Sequence, residues 1–454
     1  MSATLTRRTL LAGSGAAGLT ALLSACSGGS GGEAGQIQFW NNFSDATQVK
    51  YFTDHIAQAY PGPGTVTVSN KSSNTIDRLI QTALAAGSGP DVIVTPGPST
   101  GVTEYTKAGY LLDLEPYAKK YGWDTVFAKW ALDASRIGGK LMTLPTSYES
   151  MVYYVNPATL SKLGLTAPTT LEEFEAFNAE AKAKGVIPIA AGNADWKGAN
   201  EWHLVIALNH AAGPEAVYSA LKGETKWTDP VFVDAISKLA GWFKKGWYGG
   251  GVQNYFTNNF PTVYKQLASG QAASMISGTW EFSNLGPYFG KAAGNSADWD
   301  WTTIPSLGST TKNDVFDLAI GQSAGVNAHS KSVKDAASFL NFMTTDKKVL
   351  VDAVVEKDFQ LPPIQVSAAD FGSKADPRTV RLYTQLSAAK SIGYTTWTFF
   401  PQQTETYMIN YFENVITDKL SVQDYLAGIQ QKFDPELKAG KVPTAPAPTG
   451  VASS

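Results

Sequence analysis

The chain holds one cysteine, Cys26, in 454 residues, and only four histidines: His55, His203, His210 and His329. Past Cys26 no thiol remains, so the body of the protein has neither disulfides nor thiol chemistry. No two histidines stand at metal-ligating spacing, which argues against a His-ligated metal and assigns all four to structural or surface roles. The nucleophile-elbow, dinucleotide-binding and phosphate-loop patterns GxSxG, GxGxxG and GxxxxGK[ST] are missing, so no cofactor is expected. Beyond the N-terminal pair, arginine is confined to Arg78, Arg136, Arg378 and Arg381. The formal net charge of −3 offers no basic field for nucleic acid or for an anionic membrane surface.

What is abundant is aromatic: Trp 12, Tyr 19 and Phe 21, within a hydrophobic fraction of 43%. Large flat rings in this number point to an aromatic-lined cleft or to a tryptophan-rich core, and composition does not separate the two. The length suits two or three lobes.

The N-terminus carries Arg7 and Arg8 ahead of a glycine- and alanine-rich apolar run over Thr9–Leu23. That order is a secretory signal, and the run is shorter than the ~20 apolar residues of a membrane span. The paired arginines resemble a twin-arginine export signal, although general secretion signals also begin with basic residues. Leu23-Ser24-Ala25-Cys26 resembles the bacterial lipobox, in which the cysteine is lipidated and the chain is cut just before it. The Gly/Ser stretch that follows is a flexible tether. Residues 1–25 are therefore read as a signal peptide and 26–35 as a lipid-anchored tether.

Strand-like Gly35–Trp40, helical Ala46–Tyr60, strand-like Thr65–Val68, helical Thr75–Ala86 and an apolar strand at Asp91–Val94 follow in alternation. This is a doubly wound α/β pattern, with the last strand expected in the middle of a parallel sheet covered on both faces. Thr170 and Glu173 spell a capping box, which explains the Glu172-Glu173 pair without catalysis. Gln403–Lys432 reads as strongly helical, and the Pro/Ala/Ser-rich end at 437–454 reads as a disordered tail.

In order along the chain, FWNNFSD, GPDVIV, GYLLDLEPY, GKLMTLPTSYESMVYYVN, APTTLEEF, SGQAASMISGTWEFSN and HSKSVKDAASFLNFMTTDKK together resemble the extracellular solute-binding proteins of ABC sugar importers, of the maltodextrin and multiple-sugar type. The resemblance implies a two-lobe periplasmic-binding-protein fold with discontinuous lobes and a ligand cleft between them. Lobe one would comprise 36–149 and 306–362, and lobe two 150–305 and 363–436. Crossovers would fall near 148–151, 304–308 and 361–364. It further implies a monomeric, non-catalytic receptor on the outer face of the cell membrane, which hands its ligand to the transmembrane subunits of an ABC permease.

In open α/β sheets ligands gather beyond the carboxyl ends of strands. That rule singles out the loop of Asn41, Phe43, Ser44 and Asp45, the turn after Thr95, the hinge at Tyr148 and Glu149, and Trp280 with Glu281. By the resemblance, Glu149 grips sugar hydroxyls, Trp280 stacks on a sugar ring, and the 41–45 loop touches ligand. Trp196 is added from its polar, glycine-flanked loop. Trp397 is added from its place before the C-terminal helix, with Phe399 and Phe400 as alternatives for the same role. Thr95 stands where maltodextrin binders carry an aromatic residue, which argues against a long maltodextrin. None of the arginines falls in these loops, so the expected ligand is a neutral sugar or short oligosaccharide. The alternatives are a surface polysaccharide-active enzyme and the same receptor fold taking a polyol phosphate or a peptide.

Replacing Cys26 with serine is expected to leave the exported protein without lipid and to release it from stable membrane association. Mass spectrometry of the native protein checks the premise, and an unmodified Cys26 would contradict it.

Overall fold

The computed structural model of the chain describes residues 35–43, 45–72, 75–98, 100–309 and 311–449. The signal segment, Cys26, most of the tether and Ser44 lie outside the described residues.

The first sheet grows from the strand Gln36–Asn41, whose alternate residues Ile37, Phe39 and Asn41 turn inward. It pairs in parallel with Thr65–Asn70 on one side and Val92–Pro96 on the other. Val92–Pro96 does sit in the middle of this sheet, and Val92, Ile93 and Val94 are buried. Its second neighbour, however, is antiparallel: Gln322–Val326, from the far end of the chain. The short edge piece Leu144–Pro145 then pairs with that returning strand. An apolar run reports burial on both faces, not the direction of its neighbours, so the expectation of a wholly parallel sheet was too narrow.

The second sheet has the order Asp300–Thr302, Met151–Val155, Ala272–Gly278, Ile187–Ala190. Every residue of its two central strands is buried, as helices on both faces require. The Leu171–Ala183 helix begins with Thr170 accepting from the Glu173 amide at 3.2 Å. The Glu173 carboxylate reaches back one residue further than a capping box would take it, to the Thr169 amide at 2.8 Å and the Thr169 hydroxyl at 2.7 Å. Helix-start chemistry thus accounts for this glutamate. His203 lies buried against Phe243, Tyr248 and Tyr255, and burial depresses its pKa to about 3, so its ring is neutral. His210 bonds Asp317 at 2.9 Å in the interior.

A third, three-stranded sheet joins the two. Its middle strand, Val315–Ile320, runs parallel to Ser391–Tyr394 and antiparallel to Tyr148–Glu149. Three chain crossings meet here. The Gln322 carbonyl accepts the amides of Thr146 and Ser147 at 2.8 and 3.3 Å, the Gln322 amide donates to the Ser147 hydroxyl at 2.8 Å, and the Leu361 carbonyl accepts the Tyr148 amide at 2.7 Å.

This places the second crossing later than the sequence implied. Residues near 304–308 still belong with the second sheet's body: the Ser306 amide donates to the Thr169 carbonyl at 3.0 Å and the Leu307 amide to the His210 carbonyl at 2.7 Å. The chain returns to the first lobe only at Gly321 and Gln322. At the third crossing, the Pro363 carbonyl accepts the Ala128 amide at 2.8 Å.

The C-terminal helical region is two helices, Gln402–Ile416 and Val422–Lys438, broken where Asp418 takes a positive φ of 59°. The chain beyond is not a loose tail throughout. Val442 and Ala445 pack on the core, and the Tyr394 hydroxyl donates to the Pro446 carbonyl at 2.6 Å. Proline-rich segments keep carbonyls free for such bonds, which composition alone does not reveal.

Gly321 is the tightest point of the hinge: a Cβ there would lie 1.9 Å from Glu149 Oε1. Gly321→Ala must therefore push the buried Glu149 aside and is expected to cost about 1–3 kcal/mol, as overpacking does. A lowered Tm in a thermal melt checks this; an unchanged Tm would mean the hinge yields freely.

Candidate functional site

Between the two main sheets, over the crossing strands, lies a cleft of about 920 Å³, a size that takes small-molecule ligands. Its first wall comes from the lobe that begins the chain. Strand alternation turns Asn41 inward at the end of Gln36–Asn41, where it is 1% exposed. Both atoms of its amide lack a hydrogen-bond partner, and the residue borders the cleft. A buried unpaired amide costs on the order of 1–3 kcal/mol until something bonds it. Beside it Phe43 packs on Phe52 and meets Phe359 edge-on at 5.2 Å. The Gln322 side-chain amide donates to Asn42 Oδ1 at 3.0 Å.

The opposite wall is a row of four tryptophans. Trp280 leads from the end of the Ala272–Gly278 strand; its ring folds back so closely that a Cβ on Gly278 would lie 2.0 Å from it. Trp202 lies 5.1 Å from Trp280, Trp397 lies 6.0 Å from Trp280 on the other side, and Trp196 lies 5.6 Å from Trp202. All four border the cleft. Trp196 is 47% exposed and marks the rim. Phe399 and Phe400, the alternatives to Trp397, are fully buried, Phe399 against Trp130 and Phe400 against Trp227.

The floor carries Glu149, 6% exposed, accepting from the Ser147 hydroxyl at 3.3 Å. Burial pushes its carboxyl up to about 7, with the Gln360 amide and the Ser147 hydroxyl offsetting part of the effect. Glu201 and Glu405 border the tryptophan side, and Asp77 and Asp358 the other; no lysine, arginine or histidine is among the described residues that line the cleft.

Six of the residues singled out from sequence therefore border one cavity: Asn41, Phe43, Glu149, Trp196, Trp280 and Trp397. Four do not. Asp45 is exposed and caps the Ala46–Tyr51 helix, accepting from the Thr47 amide at 2.6 Å, because a helix start needs an acceptor. Thr95 is buried, with its hydroxyl on the Gly97 carbonyl at 3.1 Å. Tyr148 precedes Glu149 on a strand, so alternation sends its ring to the other face, onto Trp130 at 5.5 Å. Glu281 is buried behind Trp280 and accepts from the Ser277 hydroxyl at 2.7 Å, the Trp280 indole at 3.1 Å and the Asn284 amide at 3.0 Å; it holds the ring's orientation from below.

Trp202, Glu201, Gln322, Phe359 and Glu405 were not singled out. Glu201 and Trp202 stand five and six residues beyond the selected Trp196; that density of tryptophan near a carboxylate was the available signal. Glu405 and Gln322 carry none, since only the crossings bring them to the cleft.

Glutamate in an unfolded chain ionises near ~4.3, whereas buried Glu149 does so near about 7. Between these values the unfolded state gives up its proton and the folded state keeps it. The stability Glu149 contributes is thus full at low pH, falls as pH rises through this window by about 1.4 kcal/mol per unit, and is gone above it. Glu149→Gln has no proton to lose. Its Tm relative to the parent chain is expected to rise between about pH 5 and about pH 8, as thermal melts at the two values would show. The same difference at both would mean Glu149 titrates normally.

The sequence profile of the bacterial extracellular solute-binding proteins matches residues 42–349. A probable sugar-binding periplasmic protein of Mesorhizobium japonicum is 28% identical over 184 residues, which is 40% of this chain and 43% of that protein. The multiple sugar-binding protein of Streptococcus mutans is 23% identical over 277 residues, 59% of this chain and 61% of its own length. The chain thus aligns with less than two thirds of either relative. Among solved structures, a chitin oligosaccharide binding protein superposes with a TM-score of 0.73 at 21% identity, covering 89% of this chain and 100% of that one. A solute-binding protein in complex with raffinose superposes with a TM-score of 0.65 at 20% identity, covering 88% of this chain and 99% of that one. These superpositions show the two-lobe α/β binding-protein fold. With that fold, this cleft and the profile match over most of its length, the chain belongs to the bacterial extracellular solute-binding proteins.

Proposed function

We propose that this protein captures a neutral sugar or short oligosaccharide between its lobes and delivers it to the transmembrane subunits of an ABC importer. The observation that carries the reading is the pairing of Asn41 with the tryptophan row. An amide buried without a partner on one wall faces an array of rings on the other. A sugar offers hydroxyls at its rim for the first and C–H faces for the second. Asn41, Phe43, Glu149, Trp196, Trp280 and Trp397 from the sequence, joined by Trp202 and Gln322, are the proposed contacts. The multiple-sugar and chitin-oligosaccharide binders support the ligand class. The absence of basic side chains among the described residues of the cleft lining favours a neutral ligand over a sugar phosphate or uronate, which would draw on arginine or lysine.

The lobes would be those flanking the crossing strands, closing over the ligand because only a ligand touching both walls favours the closed state. Cys26, cleaved to the N-terminus and acylated, would tether the monomer to the outer face of the membrane, after export by the twin-arginine or general route. The polysaccharide-active enzyme gains no support from the cleft. Glu201 and Glu405 lie in mutual contact, whereas a glycosidase keeps its two carboxyls roughly 5 Å or more apart.

Calorimetry against raffinose, xylotriose and N-acetylchitotriose, extended to a glycan panel, tests the reading. Trp280→Ala is expected to weaken the tightest ligand by about 2–4 kcal/mol, roughly thirty- to thousandfold in Kd, with Tm unchanged. An unaltered Kd together with a lowered Tm would make Trp280 a packing residue, and a panel with no binder would remove the sugar assignment.

A further inference from the structure

Behind the tryptophan row the cleft holds a second arrangement that stacking and amide contacts leave unused. Glu201, on the helix Ala199–Ile206, is 2% exposed and its Oε2 accepts from the Thr396 hydroxyl at 2.5 Å. Glu405, on the helix Gln402–Ile416, lies within hydrogen-bonding reach of Glu201 and borders the same cleft, less deeply buried. Two carboxyls in contact cannot both ionise in a site so shielded from water. Among the described residues no cation pairs with them. On their own helices, Glu413 accepts from Asn193 and Asn200 and pairs with Lys197, and the neutral His203 faces the aromatic core. From the helix Val422–Lys438, Glu436 adds a further negative charge against Glu405 while bonded to the Thr404 amide and hydroxyl. The lysines of the helix Pro230–Lys244 that pair do so elsewhere, Lys238 with Asp234 and Lys244 with Asp418. Burial raises both groups; the charge of Glu405 raises Glu201 further, while Glu405, brought to about 7, is raised also by Glu436 and partly offset by its hydrogen bond with Glu201.

We propose that Glu201 and Glu405 share a single proton and act as a clamp for a hydroxyl of the bound sugar, which makes ligand capture depend on that proton. Glu405 is the contact and Glu201 the positioning residue, held in turn by Thr396. The shared proton bridges the two carboxyls, and the remaining carboxylate oxygen accepts the sugar hydroxyl. As pH rises and the proton leaves, the ligand must close over two adjacent negative charges, and affinity falls. This rests on the sugar-binding reading, and the two fail separately.

The shared proton is tested on the ligand-free protein by infrared spectroscopy of the protonated-carboxyl C=O band around neutral pH. The band is expected in the parent chain and diminished in Glu405→Gln. Thr396→Val, which removes the donor that favours ionised Glu201, is expected to carry the band to higher pH. Its absence from the parent chain near neutrality overturns the proposal whether or not any sugar binds. The clamp is tested by calorimetry with N-acetylchitotriose, or with whichever neutral trisaccharide of the panel binds, across about pH 6 to 9. Kd is expected to weaken by up to about one decade per pH unit once the pair titrates, with proton uptake on binding, and Glu405→Gln is expected to flatten that profile. A profile flattened by Glu149→Gln instead, or the tightest binding going to the amine-bearing glucosamine trimer with affinity rising with pH, overturns it.

Discussion

Everything in this molecule is referred to the backbone of Gln322. Its carbonyl receives two amides from Thr146 and Ser147, and its own amide donates to the Ser147 hydroxyl. Those bonds tie the outgoing and returning crossings of the chain into one strip, to which Leu361 is joined through Tyr148. Two sheets whose buried residues join in one continuous core are thereby held together across the crossings. The close approach of Gly321 to Glu149 follows from the same strip, since a side chain at that position would occupy the carboxylate's place.

The cleft over the strip carries polar groups that the fold leaves unpaired, deeply buried or crowded together. Asn41 has no partner for its amide, Glu149 is raised by burial, and Glu201 and Glu405 press two carboxyls together. Polar groups of this kind are costly to bury, and a ligand able to bond them offsets that cost. The tryptophans opposite are supported from below. Glu281 accepts the Trp280 indole proton, and a bare Gly278 leaves room for the ring. The protein's own bonds thus fix the ring's orientation, which limits the ordering cost of binding.

Much of this was legible in the chain. Asn41 opened the polar loop after the strand-like Gly35–Trp40, the strand ends marked the loops where ligands gather, and Trp280 stood directly after one of them. These are local properties: a strand's period of two and the exit from its carboxyl end depend on neighbours a few residues away. The same local logic also selected Asp45, Thr95, Tyr148 and Glu281, which do not border the cleft. Each sits beside a cleft residue in sequence, but a helix start, a carbonyl, a strand face or an indole nitrogen takes up its polar group or its ring.

The sequence by itself determined the α/β alternation, the aromatic excess, the scarcity of arginine and the N-terminal export signature, because these are carried by composition and short-range pattern. Only the tertiary structure decided that the chain returns to the first lobe at Gly321 rather than near 306, that Val92–Pro96 takes an antiparallel neighbour, and that Trp397 rather than Phe399 or Phe400 borders the cleft. It alone brought Glu405 to Glu201, 204 positions away in the chain. The reason is that strand partners and carboxyl contacts form between segments hundreds of residues apart, and which segments meet is set by packing of whole sheets and helices, not by the residues at the point of contact.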